Sequence, residues 1–174
     1  MDILLLTPPS KIANIVLLDL LINKTEGINI RYPIIHLKGH DIEISLTHCN
    51  QYGETNFSYV NGQHTTQGGT HLTGFRAAVT RGINDYARKQ KLIKDDIPNF
   101  SGDDVREGLT SVISVKMLEP QFEGQTKSKL GNAEMKGYVE SAVAEGLTIF
   151  LEDHPVDAKR IIEKCLLSQK ARAA

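Results

Sequence analysis

Tryptophan is absent from this chain of 174 residues, and Phe and Tyr contribute only five each. Cysteine is nearly absent too. Cys49 and Cys165 stand far apart, in neither a metal-type spacing nor a disulfide framework. They read as free, buried thiols in a reducing compartment. A basic excess is also missing: Lys and Arg number 20 against 21 Asp and Glu, for a net charge of −1. That excludes the strongly basic type of static nucleic-acid binder, and leaves room for transient contact through a locally basic face. Long apolar runs are lacking. Pro8-Pro9 closes the run Ile3–Leu6, and Asp19 interrupts Ile15–Ile22, so neither reaches the ~20 residues of a membrane span. No basic start leads into an apolar core with a small-residue cleavage site, so no secretory signal is read. The expectation is a soluble, cytoplasmic protein.

What is present describes one globular domain, 40% hydrophobic and 24% charged. Residues 12–22 fit a short helix, and "EGIN" a turn. "DIEISLTH" alternates, with Ile42, Ile44 and Leu46 on one face, as a half-buried strand does. "CNQYGE" is a turn, and "TNFSYVNG" alternates again, so the two strands are expected to pair as a hairpin. A helix is predicted from about Thr70 to Lys91, where Leu72, Phe75, Val79, Ile83 and Tyr86 recur at helical spacing. "GLTSVISVKML" is a buried strand with Pro120 beyond it. Two helices follow, about Ala133–Leu151 and Pro155 onward. Asp153 is expected to cap the second, with Pro155 in its first turn. The last helix ends in "SQKARAA" without a stop signal, as if the natural protein continued. The order is that of an α+β layer fold with a mixed sheet.

Most catalytic chemistries find no support. The six histidines form no HExxH pair and have no cysteine at metal spacing, so His64 and His71, which flank "TTQGGT", are read as loop hydrogen-bonding residues. No GxSxG elbow exists. Cys49 adjoins His48, but strand neighbours point to opposite faces. "SGDDVREGL" offers Asp103 and Asp104, and a carboxylate pair can hold magnesium. The plainer reading is a loop that caps a short helical turn and pairs with Arg106. "EGQTKSKLGN" lacks the second glycine of a Walker loop. It still has anion-binding ingredients: a long lysine, a donating Gln125 amide and a following helix N-terminus. An anion-seeking loop and a merely solvated basic loop remain equally open on chemistry alone.

"YVNGQHTTQGGTHLTGFRAAVTRGINDYARK" and "GDDVREGLTSVISVKMLEPQFEGQTKSKLGN", in this order and spacing, resemble the B subunit of bacterial type IIA DNA topoisomerases, DNA gyrase and topoisomerase IV. The resemblance covers roughly Gly27 to Ala173. Residues 1–26 match poorly, and 27–174 resemble the family's transducer domain, cut on both sides relative to the whole subunit. It implies a mixed four-stranded sheet with helices on one side and a left-handed β-α-β crossover, as in the second domain of a small-subunit ribosomal protein. It further implies that Gln125 and Lys127 touch the γ-phosphate of an ATP held, with Mg2+, by the neighbouring ATPase domain. Thr126 receives no direct role. Arg76 would line a cavity through which double-stranded DNA passes, helped by Arg81 and Arg88. Implied partners are the ATPase domain of the same subunit, a second B subunit, the A subunit and, transiently, DNA, with no membrane. ATP and Mg2+ would be cofactors of the intact subunit, with none held by this chain alone and no turnover by it alone. The alternative is a non-catalytic binding or dimerising module of the same fold.

Overall fold

A computed structural model describes residues 2–5 and 30–174. The predicted helix over 12–22 and the "EGIN" turn lie outside the described residues. The elements are β1 (Asp2–Leu5), β2 (Ile35–Lys38), β3 (Ile42–His48), β4 (Thr55–Val60), β5 (Gln63–His64), α1 (Thr70–Lys89), α2 (Gly102–Arg106), β6 (Leu109–Val115), α3 (Ala133–Asp153) and α4 (Pro155–Ala173). None of these helices is long and apolar enough to cross a membrane.

The strands form one mixed sheet in the order β1-β2-β3-β6-β4-β5. It has six strands, not four. β2-β3-β6-β4 make its centre, β2 being a strand that the sequence pattern did not mark; β1 adds antiparallel to the β2 edge, and the short β5 folds back on β4. The hairpin expected between β3 and β4 does not form. β6 lies between them, antiparallel to β3 and parallel to β4. Burial explains the choice. Leu109, Val112, Ile113 and Val115 are fully buried, so β6 needs a neighbour on both edges and apolar cover on both faces. The β3–β4 connection opens to admit it. At its mouth the Cys49 N–H donates to the Gly108 carbonyl at 2.7 Å, and the Gly108 N–H to that of Gly53 at 2.7 Å. Gly108 has φ +78°, and a Cβ there would lie 2.5 Å from the Cys49 carbonyl oxygen, so only glycine fits.

One core unites Ile35, Leu37, Ile44, Leu46 and Ile113 of the sheet with α1, α3 and α4; a small second cluster, Ile34 with Val112, lies apart from it. Alternation along the strands puts Val112 on the opposite sheet face from Ile113. The predicted face of α1 is the buried one, with Phe75, Val79, Ile83 and Tyr86 inside. That helix stops two residues earlier than expected. Lys91 turns to φ +54°, and the Leu92 N–H reaches back to the Ala87 carbonyl at 2.9 Å. α3 packs so closely on α1 that a Cβ on Gly74 would stand 2.3 Å from the Lys136 carbonyl oxygen.

Pro155 opens α4 as expected, but Asp153 does not cap it, because α3 runs through Asp153. His154 makes the junction. Its N–H and its ring Nδ1 both bond the Phe150 carbonyl, at 2.9 and 3.1 Å. Its ring stacks on that of Phe150, centroids 4.4 Å apart. "SGDD" forms the capped turn. The Asp104 N–H donates to Ser101 Oγ, and the Ser101 N–H to the Asp104 carboxylate.

Candidate functional site

The segment between β6 and α3 is a polar excursion pinched at its base. The Gly131 N–H donates to the Gln121 carbonyl at 2.7 Å, and the Glu123 N–H to that of Lys129 at 2.8 Å. Lys129 pairs with Glu123 at 3.1 Å. Asn132 clamps the neck. Its Nδ2 donates to the Glu119 carbonyl at 3.2 Å, and its Oδ1 accepts from the Gln121 N–H.

A second motif fixes this neck to the rest of the fold. The glycine turn before α1 lies alongside it. The Gln67 N–H donates to the Ser128 carbonyl at 2.8 Å, the Leu130 N–H to that of Gly68 at 3.0 Å, and the Thr70 N–H to that of Leu130 at 3.1 Å. Gly69 stands at φ +134°, and a Cβ there would meet Leu130 backbone atoms at 2.4–2.8 Å. The two glycines of "QGGT" therefore serve the later loop as much as their own helix.

Above the pinched base, Gln125, Thr126 and Lys127 are exposed. Gly124 (φ +82°) and Lys127 (φ +55°) both take the left-handed region, and Thr126 Oγ1 bonds Ser128 Oγ at 2.9 Å. For lysine that backbone conformation costs roughly 1 kcal/mol. Among the described residues, neither the Gln125 amide nor the Lys127 ammonium has a side-chain partner. The loop thus has a fixed base and an uncommitted cationic tip.

The three arginines are held differently, and the structure does not gather them into one group. The Arg76 guanidinium grips Glu54 with two nitrogens, Nε lying 3.0 Å from Oε1. Arg81 pairs with Glu140 of α3 at 3.1 Å. Arg88 is spent on the chain that follows its helix. Nη1 donates to the Lys94 carbonyl at 3.0 Å, Nη2 to that of Ile97, and Nε to Asn99 Oδ1 at 2.9 Å. Glu54 escaped notice in the sequence, because it sits in a turn 22 residues before Arg76 and only the opened β3–β4 connection brings it to α1.

The capped turn at Ser101 is as expected, whereas His64 and His71 do not lie in a loop: His64 is in β5, stacked on Tyr59, and His71 is in the first turn of α1. Asp103 pairs with Arg106 at 3.3 Å, and Asp104 is gripped by Arg172 at 2.8 and 2.9 Å. The Arg172 contact holds the Asp104 carboxyl below its ordinary range. No group of three or more potential metal ligands occurs among the described residues. Buried His71 bonds Thr65 Oγ1 through Nε2 at 3.1 Å, and desolvation lowers it to about 4. His48 is likewise lowered by burial to about 4. Its Nε2–H donates to the Val105 carbonyl at 2.7 Å, which leaves Nδ1 to accept from the Tyr32 hydroxyl at 2.7 Å. Both thiols are buried, and burial pushes Cys165 up to about 12.

The DNA gyrase B family matches residues 17–174. The chain belongs to that family. Its relatives include the DNA gyrase B subunit of Clostridium acetobutylicum, 46% identical over 158 residues, and that of Streptococcus pneumoniae, 53% identical over 133. These alignments cover 88% and 76% of this chain, but the chain spans only a quarter and a fifth of the relatives' own lengths. Among solved structures, the 43K ATPase domain of Thermus thermophilus gyrase B, in complex with an aminocoumarin, superposes with TM-score 0.81 at 37% identity. The match covers 89% of this chain and 43% of that one. The topoisomerase IV ATP-binding domain of Francisella tularensis gives TM-score 0.71 at 32% identity, covering 89% and 42%. The mixed sheet with its packed helices is thus the fold of a portion that makes up under half of each of those solved chains.

Proposed function

We propose that this gyrase B family chain is the transducer portion of an ATP-dependent type IIA topoisomerase B subunit. Gln125 and Lys127 are its sensors of the ATP γ-phosphate, completing a site whose Mg2+-bound nucleotide is held by a neighbouring domain of the same subunit. The observation that carries the reading is the loop from Gly124 to Lys127, with a rigid base, an exposed tip and a lysine charge that nothing among the described residues neutralises.

The chemistry follows from that placement. A lysine donates to a phosphoryl oxygen as a compact, mobile charge. Its contact lasts only while the third phosphate is attached, so binding and hydrolysis bias the angle between two rigid bodies. The same charge stabilises what develops on the transferring group. The chain has no Walker loop of its own and represents less than half of solved chains named as ATPase or ATP-binding domains, which supports a nucleotide held by residues outside it. The reading includes a left-handed β4–α1–β6 crossover, a B-subunit dimer, an A-subunit partner and the passage of double-stranded DNA past Arg76. Arg88 is engaged in the fold, whereas Arg76 and Arg81 keep exposed guanidinium surface beside Glu54 and Glu140 and are the two arginines available for that contact. By itself the chain turns over no ATP.

The test is Lys127→Ala in the whole subunit. ATP turnover is expected to fall roughly 10²–10³-fold, the size of a lost electrostatic stabiliser, with the circular dichroism spectrum unchanged. Unaltered turnover would remove Lys127 from the phosphate.

A further inference from the structure

A cleft of about 910 Å³ opens between the β3–β4 connection, α2 and α4. Three of its carboxylates are already taken: Glu54 by Arg76, Asp103 by Arg106 and Asp104 by Arg172. A fourth, Glu107, accepts from the Gly53 N–H at 3.0 Å. Two cations are left over. Arg31 is exposed on the cleft wall, its backbone N–H fixed to the His48 carbonyl at 2.9 Å. Lys164 is only 4% exposed, and among the described residues its ammonium has one hydrogen-bond partner, the neutral Ser168 hydroxyl at 3.2 Å. No carboxylate lies within ion-pair distance of either cation among the described residues.

That is an unusual way to place charge. A buried ammonium is normally paired, because desolvation without an opposite charge is costly. Here burial lowers Lys164 from its ordinary range, and the neighbouring Arg31 lowers it further, with Glu107 and Asp104 opposing from a distance. The lysine stem runs beside Gly108, where a Cβ would stand in ordinary contact, 3.5 Å from Lys164 Cε. Two like charges are thus held on one wall, and among the described residues neither has a carboxylate within ion-pair distance.

We propose that Arg31 and Lys164 form an oxyanion subsite that takes a phosphate group. A carboxylate would neutralise one of the two cations, whereas a phosphate dianion matches both and accepts from a guanidinium and an ammonium together. The cleft also has room for whatever the phosphoryl group is attached to. The subsite shares no residue with the Gln125–Lys127 loop and does not depend on the nucleotide reading.

The chain of 174 residues is titrated at low chloride with pyrophosphate and, separately, with a short DNA duplex, while backbone amide shifts are followed by NMR. Saturable shifts at Arg31 and around Lys164 are expected with pyrophosphate. Arg31→Gln and Lys164→Met should each weaken that binding roughly tenfold, the worth of one charge-assisted hydrogen bond. Lys127→Ala should leave it unchanged. Binding of pyrophosphate identifies a phosphate dianion as the ligand; binding of the duplex alone would overturn the proposal, since each phosphodiester carries a single charge. If neither probe shifts these amides, or both variants titrate as the parent does, the proposal is wrong. Should Lys164→Met fail to fold, exposed Arg31 still decides the matter.

Discussion

Lys127 and Arg88 carry the same formal charge and are held in opposite ways. Lys127 stands on a tip whose backbone is tightly fixed at the neck and whose ammonium touches no described side chain. Arg88 gives its guanidinium to two carbonyls and an amide oxygen of the connection after α1, while Asn84 exchanges two hydrogen bonds with Phe100 further along. In sequence both are basic residues beside polar neighbours. The difference teaches that a cation available to a ligand is marked by how its surroundings are satisfied. The Lys127 neighbourhood satisfies its own backbone and leaves the side chain over, whereas Arg88 is itself what satisfies the backbone around it.

The contrast can be broken most sharply by exchanging the two losses. Beyond the turnover collapse expected of Lys127→Ala, that variant should melt like the parent protein, since no described contact is removed. The neck is the next largest handle. Gly69→Ala sets a Cβ within 2.4 Å of the Leu130 backbone at φ +134°. Overpacking and strain together should cost about 3 kcal/mol in urea unfolding. Faster amide exchange should appear at both Leu130 and Thr70, because one joint serves both.

Acid reaches the scaffold but not the tip. His48 and His71 are held neutral, lowered from 6.5 to about 4. A base depressed in the folded state contributes stability that is complete above pH 6.5 and is lost as pH falls toward 4. Unfolding free energy should therefore fall by up to about 1.4 kcal/mol per pH unit for each histidine in that window. His71→Gln should remove one histidine's share of the slope. A flat profile between pH 6.5 and 4 would show that neither ring is buried neutral.

The smallest effects separate the arginines. Arg88→Ala strands two carbonyls of the 94–99 connection and should cost about 1–2 kcal/mol. Arg81→Ala removes one exposed ion pair and should cost under about 0.5 kcal/mol. Equal costs would erase the distinction between an arginine built into the fold and one resting on its surface.

Much of this was legible in residue order. The 3.6-residue period of Leu72 to Tyr86 marks a buried face directly, since it is a local consequence of backbone geometry. The alternation from Ile42 to Leu46 located a strand but not its burial: β3 is buried on both faces, Glu43, Ser45 and Thr47 included, because its polar face is covered as well. The capped turn at Ser101 and the first-turn Pro155 follow from equally local rules. What failed was pairing. Alternation says nothing about which strand lies beside which, and the more apolar β6 claimed the place between β3 and β4; it also misled in β4, where Ser58 and Val60 are buried and Phe57 and Tyr59 only half-buried against the small second cluster. Asp153 failed because α3 was free to run two residues further and close on His154. The exposed tip of the Gln125–Lys127 loop could be read from composition. Its seat on the Gly68–Gly69 turn could not, because that seat is made of backbone hydrogen bonds across some sixty residues.

The interposed β6 has a consequence for how the chain comes together. β3 and β4 are complete by residue 60, yet neither can close on the other, and the strand that joins them begins at Leu109. During synthesis or refolding both therefore present open edges until nearly fifty further residues, α1 among them, have appeared. Sheets assembled through such distant contacts form slowly, and waiting edges invite pairing with other chains. The middle of this sheet is accordingly the last part to be made, and a product that stops short of Leu109 would be prone to aggregate rather than merely incomplete.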